Sequence, residues 1–238
     1  MVNRDVKIIA TIGPSSSRPQ ILYGMLREGM DIIRLNMKYA KQKEVLDLIN
    51  IIKIANKNIK PKCEILIDIK DESTISFVKE LDFDYIALAF TETPEQIKRV
   101  RNAFLPKKIK LIAKIESKKG IDNIDKIIDN CDGIMVARGD LGKNTPFERL
   151  PVFQKWIIKK CNKQKKLVIT ATEMLLSMVT SNIPNRSESS DVANAVLDGS
   201  DALMLSEETA IGKHPILVIK TMQKIIDETQ KWRNIIDC

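Results

Sequence analysis

Short apolar runs alternate with longer amphipathic stretches from one end of the chain to the other, the rhythm of strands and helices taking turns in a parallel sheet. Eight runs read as strands: Lys7 to Ile12, Asp31 to Leu35, Glu64 to Ile69, Tyr85 to Leu88, Lys110 to Ile115, Gly133 to Ala137, Leu167 to Thr172 and Ala202 to Leu205. Each is short and mostly apolar on both faces, as a strand covered by helices must be. The stretches between them carry helical spacing. Thr93 reads as an N-cap and Pro94 as the first helical position, and Ile97, Val100 and Phe104 then recur on one face. Further stripes are Val45, Leu48, Ile49 and Ile52; Phe153, Trp156, Ile157 and Cys161; and Val218, Ile219, Met222 and Ile226, all read as core-facing. Eight βα rounds in 238 residues, near the length of about 250 typical of such barrels, favour an α/β chain closed into a single (β/α)8 TIM barrel over an open doubly wound sheet. No linker, low-complexity tract or internal repeat divides residues 1–238, so one domain is expected.

Composition changes this picture little. Hydrophobic residues at 44% and charged residues at 29% are ordinary for a globular chain, while aromatics at 5% leave Ile and Leu to build the core. A formal charge of +8 and a pI near 9.2 raise the question of a polyanion partner. Lys41, Lys43, Lys53, Lys57 and Lys60 are typical of a scattered charge with no aromatic-interleaved patch, so no nucleic acid is expected. Cys63, Cys131, Cys161 and Cys238 lie far apart without a C-x-x-C pair, which suggests neither a zinc site nor a disulfide framework and places the chain in a reducing cytoplasm. Met1 to Asp5 and the short run from Val6 to Ile12 form no export signal. No apolar stretch approaches the roughly 18 residues of a membrane span, so no membrane partner is expected.

In such a barrel the chemistry belongs at the C-terminal ends of the strands. Lys114 and Glu116 close one run two residues apart, hence on one face. The next run closes in Arg138-Gly139-Asp140, a flexible backbone with a carboxylate beside it, which suits an anion and its counter-ion. Glu116 and Asp140 from neighbouring strands could seat a hard cation such as Mg²⁺. A buried structural ion pair between Lys114 and Glu116 is an equal alternative on spacing alone. Thr172 and Glu173, with Ser206, Glu207, Glu208 and Thr209, close the last two runs, where they could serve a substrate or cap the next helix.

Taken together, these segments resemble the pyruvate kinase family. The resemblance rests on Lys7 to Ser16, Gly29 to Asn36, Ala113 to Ser117, Asp132 to Gly142, Ala171 to Met178, Ser190 to Gly199 and Glu208 to Ala210, in order along nearly the whole chain. It implies a phosphotransferase acting in glycolysis on phosphoenolpyruvate and ADP to give pyruvate and ATP. Lys114 would stabilise charge on the phosphoryl group and enolate, Arg34 would contact the phosphate, and Glu116 with Asp140 would hold Mg²⁺ or Mn²⁺. The N–H groups of Gly139 and Asp140, with the Thr172 hydroxyl, would bind the substrate carboxylate. Thr172, Ser206 and Glu208 would match the family's proton-delivery network. Self-association into a homo-oligomer is left open.

Several positions depart from the family pattern. Its Asn-Phe-Ser-His-Gly is here Asn36-Met37-Lys38-Tyr39-Ala40, so Lys38 stands where a Ser helps Asn36 and Asp68 bind a monovalent cation. The need for K⁺ is therefore in question, and the Lys38 ammonium is a candidate to take the ion's place. After Asp68 the sequence reads Ile69-Lys70-Asp71-Glu72-Ser73, with no room for the family's inserted lid, and no C-terminal regulatory domain is expected after Trp232. Glu207 replaces a Gly, and Ile211 replaces a Lys on the nucleotide side, with Lys213 nearby. The enolpyruvate half is thus better kept than the nucleotide half. Two other readings stay open: metal-dependent enolate chemistry on a 2-oxo acid without nucleotide, of decarboxylase or aldolase type, and a non-catalytic metabolite-binding barrel.

Overall fold

The computed structural model describes residues 6–39, 41–57 and 59–236; Met1 to Asp5, Ala40 and Cys238, read above, lie outside the described residues. In chain order the elements are β1 (Lys7–Thr11), α1 (Pro19–Arg27), β2 (Ile32–Asn36), α2 (Gln42–Ala55), β3 (Glu64–Ile69), α3 (Ile75–Val78), β4 (Tyr85–Leu88), α4 (Pro94–Phe104), β5 (Lys110–Ile115) and α5 (Lys118–Asp122). They continue with α6 (Ile124–Asn130), β6 (Gly133–Ala137), α7 (Arg138–Lys143), α8 (Leu150–Lys163), β7 (Leu167–Ala171), α9 (Arg186–Leu197), β8 (Ala202–Leu205), α10 (Glu207–Ala210) and α11 (Pro215–Ile236). The eight strands pair in sequence order, all parallel, and β8 pairs with β1 to close a barrel.

Apolar residues on the outer strand faces, such as Ile8, Ile33, Ile67, Ile86, Ile134 and Leu203, pack with the helices into the main core. The inward set, including Ile9, Ile32, Leu66, Ile112, Met135 and Ile169, forms a separate cluster that fills the bore. The helical stripes read from the sequence face the core, with Phe153 half-buried and one correction. Trp156 is 39% exposed, because α8 turns Gln154, Ile157, Ile158 and Cys161 inward and leaves the indole at the edge of that face. α4 begins as expected, with the Thr93 N–H donating to Gln96 Oε1 at 2.9 Å.

A repeated aspartate clamp sets the register at the N-terminal face. Asp31, Asp84, Asp132 and Asp201 each stand just before an even-numbered strand. Each carboxylate accepts the N–H of the second residue of the preceding odd strand: Ile8 at 2.8 Å, Ile65 at 2.8 Å, Leu111 at 2.7 Å and Val168 at 2.8 Å. Each Asp N–H donates back to the carbonyl of that same residue, at 3.0, 2.9, 2.9 and 2.9 Å respectively. Two hydrogen bonds per junction fix how far each odd strand slides against its successor, and a one-residue slip would turn the polar top of the bore outward.

β3 leads directly into the outer layer. Lys70 and Asp71 alone separate it from a short 3₁₀ turn over Glu72–Thr74, where the Asp71 carboxylate accepts the Ser73 N–H, and α3 follows at once. No further element lies between β3 and α3.

Candidate active site

Strand alternation carries one column of inward positions up each strand, and in β2, β3 and β5 that column is apolar in the bore and charged at the C-terminal mouth. Above Ile32, Leu66 and Ile112 stand Arg34, Asp68 and Lys114, from β2, β3 and β5, and Glu116 follows one residue past β5. All four are buried, with exposures of 7%, 3%, 8% and 2%. Asp68 accepts Arg34 Nε at 2.8 Å and pairs with Arg34 Nη2 at 2.7 Å. The same carboxylate holds Lys114 Nζ at 3.2 and 3.3 Å through its two oxygens. Lys114 Nζ also lies 3.1 Å from Glu116 Oε1, and Glu116 Oε2 accepts the Phe90 N–H at 2.6 Å. Arg34 Nη1 donates to Thr11 Oγ1 at 2.9 Å. The result is a buried array of alternating charge, Arg34, Asp68, Lys114, Glu116, in which each cation has a carboxylate beside it. Mutual pairing orients these four side chains and offsets a burial that would be too costly for isolated charges.

Beside this array, the ends of β6 and β7 meet. The Gly139 N–H donates to Thr172 Oγ1 at 2.8 Å, and that hydroxyl donates to the Ala171 carbonyl at 2.6 Å. Thr172 and Glu173 both have positive φ, 72° and 53°, which ends β7 at Ala171, one residue short of the sequence reading. Asp140 lies in the first turn of α7, its side chain 46% exposed and 3.1 Å from Lys143 Nζ. Asn144 ties the two metal candidates together through their backbones, donating to the Glu116 carbonyl at 3.1 Å and the Asp140 carbonyl at 2.9 Å.

At the β8 end, Glu208 is fully buried and accepts the Leu175 N–H at 3.1 Å and the Ser206 N–H at 2.7 Å. Burial raises its carboxyl above the ordinary 4.5, against the lowering effect of these backbone donors. Its carboxylate therefore joins the loops after β7 and β8. No hydrogen bond among the described residues links Thr172 to Ser206 or Glu208.

Lys38, the candidate to take a monovalent ion's place, is exposed in the turn after β2. Its backbone N–H donates to Asn36 Oδ1 at 3.1 Å, while its ammonium lies 5.1 Å from the centre of the Tyr39 ring. The cations on Asp68 are Arg34 and Lys114 instead.

Among the described residues no three His, Cys, Asp or Glu side chains gather into a metal cage. The donors nevertheless suit a hard divalent cation, since Mg²⁺ takes one or two carboxylates and completes its shell with water and substrate oxygens. Glu116 offers a buried carboxylate with one amide donor already fixing its outer oxygen, and Asp140 offers a solvent-facing one across the Asn144 bridge.

A family model described as the barrel domain of pyruvate kinase matches residues 3–72 and 67–219. The chain belongs to the pyruvate kinase family. Among relatives named pyruvate kinase, that of Clostridium perfringens is 48% identical over 164 residues, covering 68% of this chain and 35% of that protein. That of Thermococcus litoralis is 49% identical, covering 69% of this chain and 35% of its own length. That of Trypanoplasma borreli is 50% identical, covering 68% and 32%. The chain thus spans about a third of the length of the curated relatives it matches. The two matched stretches overlap at residues 67–72, from the last residues of β3 to the start of the 3₁₀ turn.

Within this family frame, three features of the site were not read from the sequence. Asp68 joins Arg34 to Lys114, Asn144 bridges the two metal candidates, and Phe90 fixes Glu116 from a backbone at φ 45°. Only the first left a signal, in that Asp68 occupies the same inward column as Arg34 and Lys114.

Proposed function

We propose that this barrel carries a phosphoenolpyruvate and pyruvate site and transfers the phosphoryl group to ADP, yielding pyruvate and ATP with a divalent cation. The observation that carries the reading is the buried Arg34, Asp68, Lys114, Glu116 array at the mouth of a barrel of this family. Phosphoryl transfer asks the protein mainly for positioning and charge stabilisation, and these side chains provide both.

Glu116 and Asp140 would hold Mg²⁺ or Mn²⁺, which when bound supplies positive charge for the enolate and phosphoryl oxygens. Lys114, released from part of its pairing with Glu116, turns its ammonium toward the transferring group. Arg34, held flat by Asp68 and Thr11, presents its guanidinium edge to the phosphate. The substrate carboxylate accepts the N–H groups of Gly139 and Asp140 and the Thr172 hydroxyl, replacing the present Gly139 to Thr172 bond. The bond from phosphorus to the enol oxygen breaks, a bond to the terminal ADP oxygen forms, and the enolate carbon takes a proton from the Thr172 and Ser206 side of the mouth.

The test is pyruvate release from phosphoenolpyruvate by the purified chain, with and without ADP and Mg²⁺. ADP-dependent release is expected; none from folded protein across several nucleoside diphosphates would reject the reading. A second reading is favoured by the two-residue passage from β3 to its 3₁₀ turn, which leaves no inserted element between β3 and α3. It is metal-dependent enolate chemistry on a 2-oxo acid without nucleotide, and turnover of oxaloacetate in the absence of ADP would select it. In this proposal the direct passage from β3 to its 3₁₀ turn supports a lidless mouth, and K⁺ has no assigned place in this scheme.

A further inference from the structure

Arg138 opens α7 directly after β6, next to Gly139, and its guanidinium is taken up by the protein's own groups. The side chain is 9% exposed and every nitrogen is engaged. Nη1 meets Asp191 of α9 at 2.7 Å and Gln154 Oε1 of α8 at 3.3 Å. Nη2 donates to the Thr172 carbonyl at 2.6 Å and meets Met174 Sδ at 3.0 Å, and Nε donates to the Ala171 carbonyl at 3.3 Å. Two side chains thus fix the guanidinium from one side, and it grips the Ala171–Met174 turn from the other.

That turn is strained. Thr172 is β-branched at φ 72° and Glu173 follows at φ 53°. Left-handed backbone costs a non-glycine residue roughly 1–2 kcal/mol, and for a β-branched residue it marks a true outlier that persists only where surrounding contacts enforce it. The enforcing contacts here come from Arg138. The left-handed turn is also what directs the Thr172 hydroxyl to the Gly139 N–H.

We propose that Arg138, oriented by Asp191, is a positioning residue that holds the strained Thr172–Glu173 turn and thereby places the Thr172 hydroxyl in the carboxylate pocket. The inference rests on the substrate-site reading above, in which Thr172 and Gly139 receive the substrate carboxylate. It assigns Arg138 no contact with substrate. A planar guanidinium reaches two adjacent carbonyls and a carboxylate at once, which a lysine ammonium on a flexible stem does not reproduce.

The experiment is calorimetric binding of oxalate, a planar analogue of the enolate, in the presence of Mg²⁺. Thr172→Ala should weaken binding by removing the hydroxyl, and Arg138→Lys should weaken it about tenfold, the loss of one good hydrogen bond. Glu173→Gly relieves the second of the two left-handed positions without touching the pocket, so it should change little alone and restore part of the affinity in the Arg138→Lys background. Asp191→Asn should act in the same direction as Arg138→Lys and carries the same test if that variant fails to fold. Parental affinity in Arg138→Lys, or a loss that Glu173→Gly does not restore, overturns the proposal. If the parent binds no oxalate, and Thr172→Ala is then without effect, the substrate-site reading fails. Hydrogen exchange at the amides from Thr172 to Met174 still reports the clamp on its own. It should accelerate in Arg138→Lys, and unchanged exchange would overturn the clamp.

Discussion

Asp68 gathers Arg34 and Lys114 onto one carboxylate while Glu116 takes the other side of Lys114, so an entering anion meets cations that are already committed. A divalent cation at Glu116 would loosen that commitment by replacing Lys114 as its counter-charge. Lys38 is no part of this array. With its ammonium over Tyr39 and its side chain exposed, Lys38→Ser should leave the response of the reaction to K⁺ unchanged, measured in buffers with and without K⁺. A new K⁺ requirement in the variant would show that the ammonium does reach the oxygens near Asp68. Glu208 has a pH signature of its own. Its folded carboxyl titrates above 4.5 because burial disfavours the charge, so the folded state holds its proton more tightly than the unfolded chain. Its contribution to stability is greatest below 4.5 and falls as pH rises through the elevated folded value. Unfolding midpoints followed from pH 4.5 upward should show this fall, and Glu208→Gln should remove it from the profile. A profile identical in the variant would assign the pH dependence elsewhere.

Among the elements, the aspartate clamps give the barrel its register, and the active column follows from that register. Asp201 is the most buried clamp at 6% exposure, and it accepts the Val168 N–H at 2.8 Å. Asp201→Ala leaves that donor inside the protein without its carboxylate, which should cost about 1–3 kcal/mol. Denaturant unfolding checks this, and a loss within a few tenths of a kcal/mol of zero would mean that the ladder alone sets the register. Strand positions were legible because buried parallel strands read as unbroken apolar runs; β3, β4, β5, β6 and β8 have the bounds the sequence suggested. β7 stops early because Thr172 leaves extended geometry, which no propensity for a β-branched residue would suggest. The clamps were missed because one Asp before each even strand, spaced tens of residues apart, looks like ordinary loop polarity. Lys114, Glu116, Arg34 and Asp68 were legible as strand-end charges and family positions, whereas the pairing of Asp68 with both cations depends on interstrand stagger. The orientation of Lys38 has the same origin: a residue past the end of β2 is governed by its turn, and here the side chain is exposed beside Tyr39.

For the whole molecule, the direct passage from β3 through its 3₁₀ turn to α3 underlies the proposal of a mouth without an inserted lid. Lids exclude water and complete a site around bound substrate. The barrel alone should hold ADP weakly, with saturation displaced to concentrations well above those for phosphoenolpyruvate, as steady-state titration of each substrate would show. Equal, tight saturation by both would mean that the nucleotide is held without a lid. Phosphoryl transfer at this mouth is tested most directly by one measurement, ADP-dependent pyruvate release by the parent chain and by Lys114→Met side by side, at saturating Mg²⁺ and phosphoenolpyruvate. Removal of a preorganised charge at the reacting centre should lower turnover by about 10²- to 10³-fold, with the variant still folded by circular dichroism. Pyruvate release that needs ADP in the parent and falls by that amount in the variant is the predicted result; equal release by both folded proteins, or none by the parent, would contradict the account.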